Sequence, residues 1–251
     1  MGLAHRVIPV LLSRGSYLVK GKQFNSYRVV GNVYQAAEIH QARGVDELMI
    51  IDVAATICGT EPDYDMIREL TSKCFMPITV GGGVRTIEHI RNLLANGADK
   101  VLIGTAALDN RDLIKEAAEK FGSQAIVIAI DVVYEKPNWF VTTYCGRRRH
   151  FYSPVAYAKE LELWGAGELV VTSVLNDGMM DGYDLGIIRK IAKAVNIPVV
   201  ANGGAGNYDH MARALKAGAS AVAAGAMFQW TDATPRGASE YLAKKGWEVR
   251  L

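Results

Sequence analysis

The chain contains a long internal echo. Residues 77–107 (PITVGGGVRTIEHIRNLLANGADKVLIGTAA) recur in outline at residues 198–228 (PVVANGGAGNYDHMARALKAGASAVAAGAMF), an offset of 121 positions. At that offset Pro77 falls on Pro198, Gly82 on Gly203, Gly83 on Gly204, His89 on His210, Gly97 on Gly218 and Gly104 on Gly225. The echo extends upstream, with GVDELMIIDVAAT from Gly44 lying over GAGELVVTSVLND from Gly165. A unit of half the chain is far longer than the roughly 20–50 residues of a solenoid repeat. Two fused half-domains are therefore predicted. Each copy reads as an apolar strand, a glycine turn, an amphipathic helix, a Gly-Ala stop and a second strand ending in glycine.

Strand-like runs fall at 7–12, 48–53, 77–81, 101–104, 125–131, 168–173, 198–202 and 221–225. Helical patterns lie near 33–43, 63–74, 86–97, 110–121, 153–164, 184–195, 207–217 and 236–246. Short apolar strands separated by helices imply a parallel sheet buried on both faces. Eight βα units in 251 residues, arranged as two similar halves, predict an α/β fold: one (β/α)8 barrel domain, with half-barrels at 1–122 and 123–251. An open doubly wound sheet is the competing architecture, and it leaves the halfway repeat unexplained.

A formal net charge of +2 gives no electrostatic footprint for nucleic acid or a membrane surface. Cys58, Cys74 and Cys145 lack metal spacing and are odd in number, which fits a reduced, cytoplasmic protein. The sequence has neither a membrane-length apolar run nor a signal-peptide core. None of the five histidines has ligand spacing, so neither a metal nor a cofactor is expected. His89 and His210 read as surface or packing positions on their helices, and Arg147-Arg148-Arg149 as a solvated loop.

In such a barrel the chemistry sits on the loops at the C-terminal ends of the strands. Gly82-Gly83 follow the third strand and Gly203-Gly204 the seventh, while Gly104-Thr105 and Gly225-Ala226 follow the fourth and eighth. Glycine lets backbone N–H groups approach an anion closely, and a following helix N-terminus favours negative charge. Two phosphate cradles are predicted, suited to a small ligand with a phosphate at each end; the competing reading is a pair of tight turns. Asp131, Asp52 and Asp177 stand at or just after strand ends as candidate bases; each could instead fix its loop. Lys20 is a candidate substrate-orienting cation, against a solvated loop lysine. At the opposite end, Arg6, Glu47, Lys100 and Glu168 each precede the apolar run of a strand. Spacing alone favours a stabilising ring of salt bridges on the barrel floor.

The segments RVIP, LVKG, DELMIID, VGGGVR, GADKV, TAAL, FGSQA, AID, GAGEL, DG-x-x-x-GYD and GGAG resemble the HisF family, the cyclase subunits of imidazole glycerol phosphate synthase, over nearly the whole chain. The resemblance implies a bis-phosphorylated sugar-nucleotide substrate and a HisH-type glutaminase partner, together a heterodimer. It also makes Arg6, Glu47, Lys100 and Glu168 an ammonia gate and Asp99 a residue facing the glutaminase, displacing the reading as a stability ring alone. Asp131 matches one of the family's two catalytic aspartates, and Leu12 stands in the place of the other. Further departures lie at the same mouth: Val29-Val30-Gly31-Asn32-Val33 for D-x-G-D-P, Asp177-Gly178-Met179 for D-G-T, Gly104 for Asn and Ala226 for Ser.

An intact floor with a remodelled mouth resembles the HisF-like paralogues of surface-polysaccharide amidation. There, ammonia is delivered toward an activated sugar with a third, sugar amidotransferase subunit. The alternatives are a genuine histidine-pathway cyclase using a substitute acid, and a non-catalytic phosphate-binding activator of the glutaminase.

Overall fold

The computed structural model describes residues 4–251. Eight parallel strands close on themselves: β1 (Arg6–Arg14), β4 (Leu48–Asp52), β5 (Ile78–Gly81), β6 (Lys100–Ile103), β7 (Ile126–Glu135), β10 (Glu168–Ser173), β11 (Val199–Asn202) and β12 (Ala221–Ala224). Each pairs with the next, and β12 returns to β1, which makes the barrel complete. The main outer helices are α1 (Val33–Ala42), α3 (Tyr64–Lys73), α4 (Ile87–Ala95), α6 (Arg111–Phe121), α7 (Pro154–Leu163), α8 (Leu185–Ala192), α9 (Tyr208–Lys216) and α11 (Pro235–Lys244). Three short helices, α2 (Ala55–Cys58), α5 (Thr105–Asp109) and α10 (Ala226–Trp230), sit in βα loops at the mouth.

Local sequence explains the regularity. Each main helix begins at an Asn, Asp, Ser or Thr whose side chain accepts from a first-turn N–H, as Asn32 does for α1 and Thr86 for α4. Ile8, Val10, Met49, Leu102, Val127, Val170 and Val200 fill the barrel interior with Ala221 and Ala223. The alternate residues of the same strands pack outward against the helices. This inward–outward alternation is the period-2 geometry of a strand buried on both faces.

β1 and β7 overrun the barrel and fold back as antiparallel hairpins. β2 (Tyr17–Lys22) and β3 (Asn25–Asn32) extend β1, while β8 (Asn138–Thr143) and β9 (Arg148–His150) extend β7. Lys20 lies in β2 and is buried, which removes the competing reading of a solvated loop lysine. The solvated-loop reading of Arg147-Arg148-Arg149 needs correction. Arg149 lies in β9, stacked 4.4 Å from the Phe151 ring and 5.3 Å from Phe140, and paired with Glu135.

The two halves differ in register. The hairpins keep the sequence offset of 121, with Leu12 opposite Val19 as Val133 is opposite Phe140. Against its barrel neighbours β1 alone takes an offset of 119 from its counterpart β7, because Leu12 pairs with Ile51 as Asp131 pairs with Thr172. β1 has slid by one pleat, so its inward face is preserved. Leu12 is thereby the counterpart of Asp131 across the barrel.

Candidate functional site

The mouth holds a cavity of about 360 Å³ reached by residues from both halves. From the first half come Gly82, Gly83, Gly104 and Thr105; from the second come Asp131, Asp177, Gly178, Gly225 and Ala226, with Lys20, Asp52 and Leu12 also in its wall. Gly82 has φ +107°, and a Cβ there would lie 2.8 Å from the Cβ of Asp52. That position needs glycine both for its backbone angle and for the close approach. Gly203 and Gly204 are not in the cavity wall. Their turn is covered by the loop after β10: Gly182 N–H donates to the Gly204 carbonyl at 2.7 Å, and Asn176 Nδ2 donates to the Gly182 carbonyl at 2.8 Å. On that side the cavity wall is formed by Gly178, Gly225 and Ala226, and the cradle expected at Gly203 and Gly204 does not reach the cavity.

The three acids differ in surroundings. Asp52 Oδ1 accepts from Ala54 N–H at 2.7 Å and from Ala55 N–H at 3.1 Å, so the carboxylate fixes the turn into α2. Burial, reinforced by the negative charge of Asp177, pushes the Asp131 carboxyl up to about 7 despite its hydrogen bond with Thr172. Burial also raises Asp177, against the pull of the Lys20 charge and the Phe24 backbone. Burial lowers Lys20, partly offset by Asp177, and its Nζ donates to the Val10 carbonyl at 3.2 Å. A carboxyl poised near neutrality can both give and take a proton at physiological pH. Leu12 can do neither. Val10, Ile51 and Leu102 are further apolar members of the same wall.

Sequence reasoning missed several wall residues. Arg85 could have been found, since it directly follows the glycine turn; its Nη2 donates to the carbonyls of Gly59 at 3.0 Å and Thr60 at 3.3 Å. Tyr27 and Cys145 enter through the two hairpins, whose folding back over the mouth leaves no periodic signal. Burial pushes the Cys145 thiol up to about 11, with Asp131 adding to the effect, so it is not a ready nucleophile.

At the opposite end, the four predicted charges form a closed ring. Arg6 pairs with both Glu47 and Glu168. Lys100 Nζ lies 3.1 Å from Glu47 Oε1 and 2.9 Å from Glu168 Oε2. Glu47, only 2% exposed, also accepts from Thr79 Oγ1 at 2.7 Å. Burial alone would raise the Glu47 carboxyl, but Arg6 and Lys100 outweigh it and hold the group below its ordinary range. Above this ring the barrel interior is apolar up to Leu12, Ile51 and Ala129. Asp99 is exposed on the floor, its Oδ2 accepting from Ile78 N–H at 2.8 Å.

Among the described residues, no cluster of three or more His, Cys, Asp or Glu is placed to hold a metal ion, and no helix is long and apolar enough to cross a membrane. Fold and site together define a half-repeat (β/α)8 barrel with titrating carboxyls at the C-terminal mouth and a satisfied charge ring at the floor. The family model described as histidine biosynthesis protein matches residues 6–233, and the chain belongs to that family, which includes HisF. An enzyme of the histidine-biosynthesis type, with a synthase role built on this barrel, is the coarse assignment that membership supports.

Proposed function

We propose that this protein is the synthase-type subunit of a glutamine-dependent amidotransferase. A HisH-type glutaminase docks on the barrel floor near Asp99 and releases ammonia against the ring of Arg6, Glu47, Lys100 and Glu168. Ammonia passes the ring, rises through the apolar interior and meets a phosphorylated acceptor held in the mouth. The acceptor is an activated sugar of surface-polysaccharide assembly, reached at this mouth or in a third, sugar amidotransferase subunit.

The observation that carries this reading is Leu12 in register with Asp131 while all four ring residues keep their mutual ion pairs. A chain relieved of both functions would be free to lose both sets of residues. Here only the mouth has changed. A neutral ammonia molecule suits a passage lined by Val, Ile, Leu and Met, since such walls offer a small solute no competing hydrogen bonds.

A second reading, genuine imidazole glycerol phosphate synthesis, draws on Asp131 near neutrality with Asp177 and Lys20 beside it. In that case the pair Asp177–Lys20 supplies the proton transfer that Leu12 cannot.

Coexpression with a HisH-type glutaminase tests the proposal. The expected result is a stable 1:1 complex in which glutamine hydrolysis rises when a phosphorylated acceptor fills the mouth, and falls when Asp99→Lys is introduced. Failure to bind any such glutaminase, or hydrolysis indifferent to this chain, contradicts the proposal.

A further inference from the structure

We infer that His89 and His210 are positioning residues that pin the two glycine turns of the mouth through the same hydrogen bond. This rests on the reading of the mouth as a phosphate site, and deepens it. The pair is repeat-related, and each member occupies the third helical position after its cap, in α4 and α9. His89 N–H donates to Thr86 Oγ1 at 3.2 Å and His210 N–H to Asn207 Oδ1 at 2.9 Å. Each ring then reaches back past the cap: Arg85 N–H donates to His89 Nδ1 at 3.3 Å, and Gly206 N–H donates to His210 Nδ1 at 3.2 Å.

An ordinary capping box uses Glu or Gln at this position to bond the cap's own N–H. The imidazole reaches one residue further, into the turn itself. With the lone pair on Nδ1, the proton sits on Nε2; in His89 that atom faces Glu61 Oε1 at 3.8 Å. The Gly83 carbonyl also lies 3.2 Å from His89 Nδ1, but in this tautomer that lone pair cannot bond a carbonyl oxygen, so the bond that holds the ring is the one from Arg85 N–H. His89 is 8% exposed, which selects packing from the two readings, surface or packing, that the sequence left open.

The two pins act on different parts of the mouth. His89 holds the turn whose Gly82 and Gly83 line the cavity directly. His210 holds the turn that supports the 176–182 loop, its ring packing 3.7 Å from where a Cβ of Gly182 would stand. That loop carries Asp177 and Gly178 to the cavity.

Asparagine places its Oδ1 where histidine places Nδ1, two bonds from Cβ, so it preserves the acceptor and removes the ring. The test follows backbone amide signals of wild type, His89→Asn and His89→Leu during titration with inorganic phosphate, together with amide exchange at Arg85. Wild type and His89→Asn are expected to bind within about threefold of each other. His89→Leu is expected to bind about tenfold more weakly, with faster exchange at Arg85, because a half-buried N–H has lost its acceptor. Equal phosphate binding and unchanged Arg85 exchange in His89→Leu, with the protein folded, overturns the inference. His210→Leu and His210→Asn, read at Gly206, decide it if His89→Leu does not fold. If wild type binds no phosphate, the phosphate reading fails, while exchange at Arg85 and Gly206 still decides the pin.

Discussion

The floor and the mouth of this barrel stand at the two ends of one apolar interior and treat charge in opposite ways. At the floor two cations meet two anions, and every member touches both opposite partners. At the mouth Lys20 offsets Asp177 alone, Asp131 has Asp177 as its charged neighbour, and both carboxyls are driven upward. Compensated buried charge is fixed and does not titrate near neutrality. Under-compensated buried charge does, at some cost in stability. The contrast divides the molecule into an end whose charges are mutually paired and an end whose carboxyls are raised by burial.

The largest expected effect comes from breaking the floor. Glu47→Ala leaves Arg6 and Lys100 with Glu168 as their one anion and the Thr79 hydroxyl without its acceptor, and should lower unfolding free energy by about 3–5 kcal/mol in chemical denaturation. A loss below about 1 kcal/mol would mean that the ring is a solvated surface feature. Next, Leu12→Asp adds a further carboxyl to a mouth that already holds Asp52, Asp131 and Asp177. It should destabilise the protein by about 1–3 kcal/mol at pH 8 and by less at pH 5, where the carboxyls are protonated.

Asp131→Asn should act in the opposite direction. The folded-state pKa of Asp131 is raised, so wild type loses stability as pH climbs from the ordinary carboxylate range of about 4 toward about 7. The Asn variant lacks that loss, and should match wild type near pH 4 and exceed it by about 1 kcal/mol at pH 8. Parallel pH–stability curves for the two proteins would remove Asp131 from the titrating set. The smallest effect is expected at Asp52, whose Oδ1 only fixes the turn into α2. Asp52→Asn keeps that acceptor and should change melting by less than about 0.5 kcal/mol, while Asp52→Ala should cost about 1 kcal/mol.

Much of this contrast can be read in the sequence. The repeat from Pro77 to Pro198 implies the half-barrel plan, and β5 and β11, α4 and α9, and β6 and β12 repeat at that same offset. The ring residues are visible because each directly precedes an apolar run. Register is less accessible. The slide of β1 by one pleat, which places Leu12 opposite Asp131, depends on pairing with β4 and β12, and leaves the inward–outward pattern unchanged. The hairpins were not legible, and Arg147-Arg148-Arg149 read as a solvated loop, since strands half exposed at a barrel rim carry little hydrophobic periodicity. The covering of Gly203 and Gly204 by the 176–182 loop is a tertiary contact with no local signature. The histidine pins were in view as a repeat-related pair, but a ring's reach back to a turn N–H has no marker in spacing alone.

The most direct test of an intact floor beneath a remodelled mouth is cyclase turnover of wild type and Leu12→Asp. The substrate is the bis-phosphorylated sugar nucleotide of imidazole glycerol phosphate synthase, with saturating ammonium salt replacing the glutaminase. The account predicts no turnover above background in wild type and its appearance in Leu12→Asp, since restoring a proton-transfer group commonly returns about 10²–10⁴ in rate. Wild-type turnover matching a competent cyclase would contradict it, and would give the missing acid's work to Asp177 and Lys20.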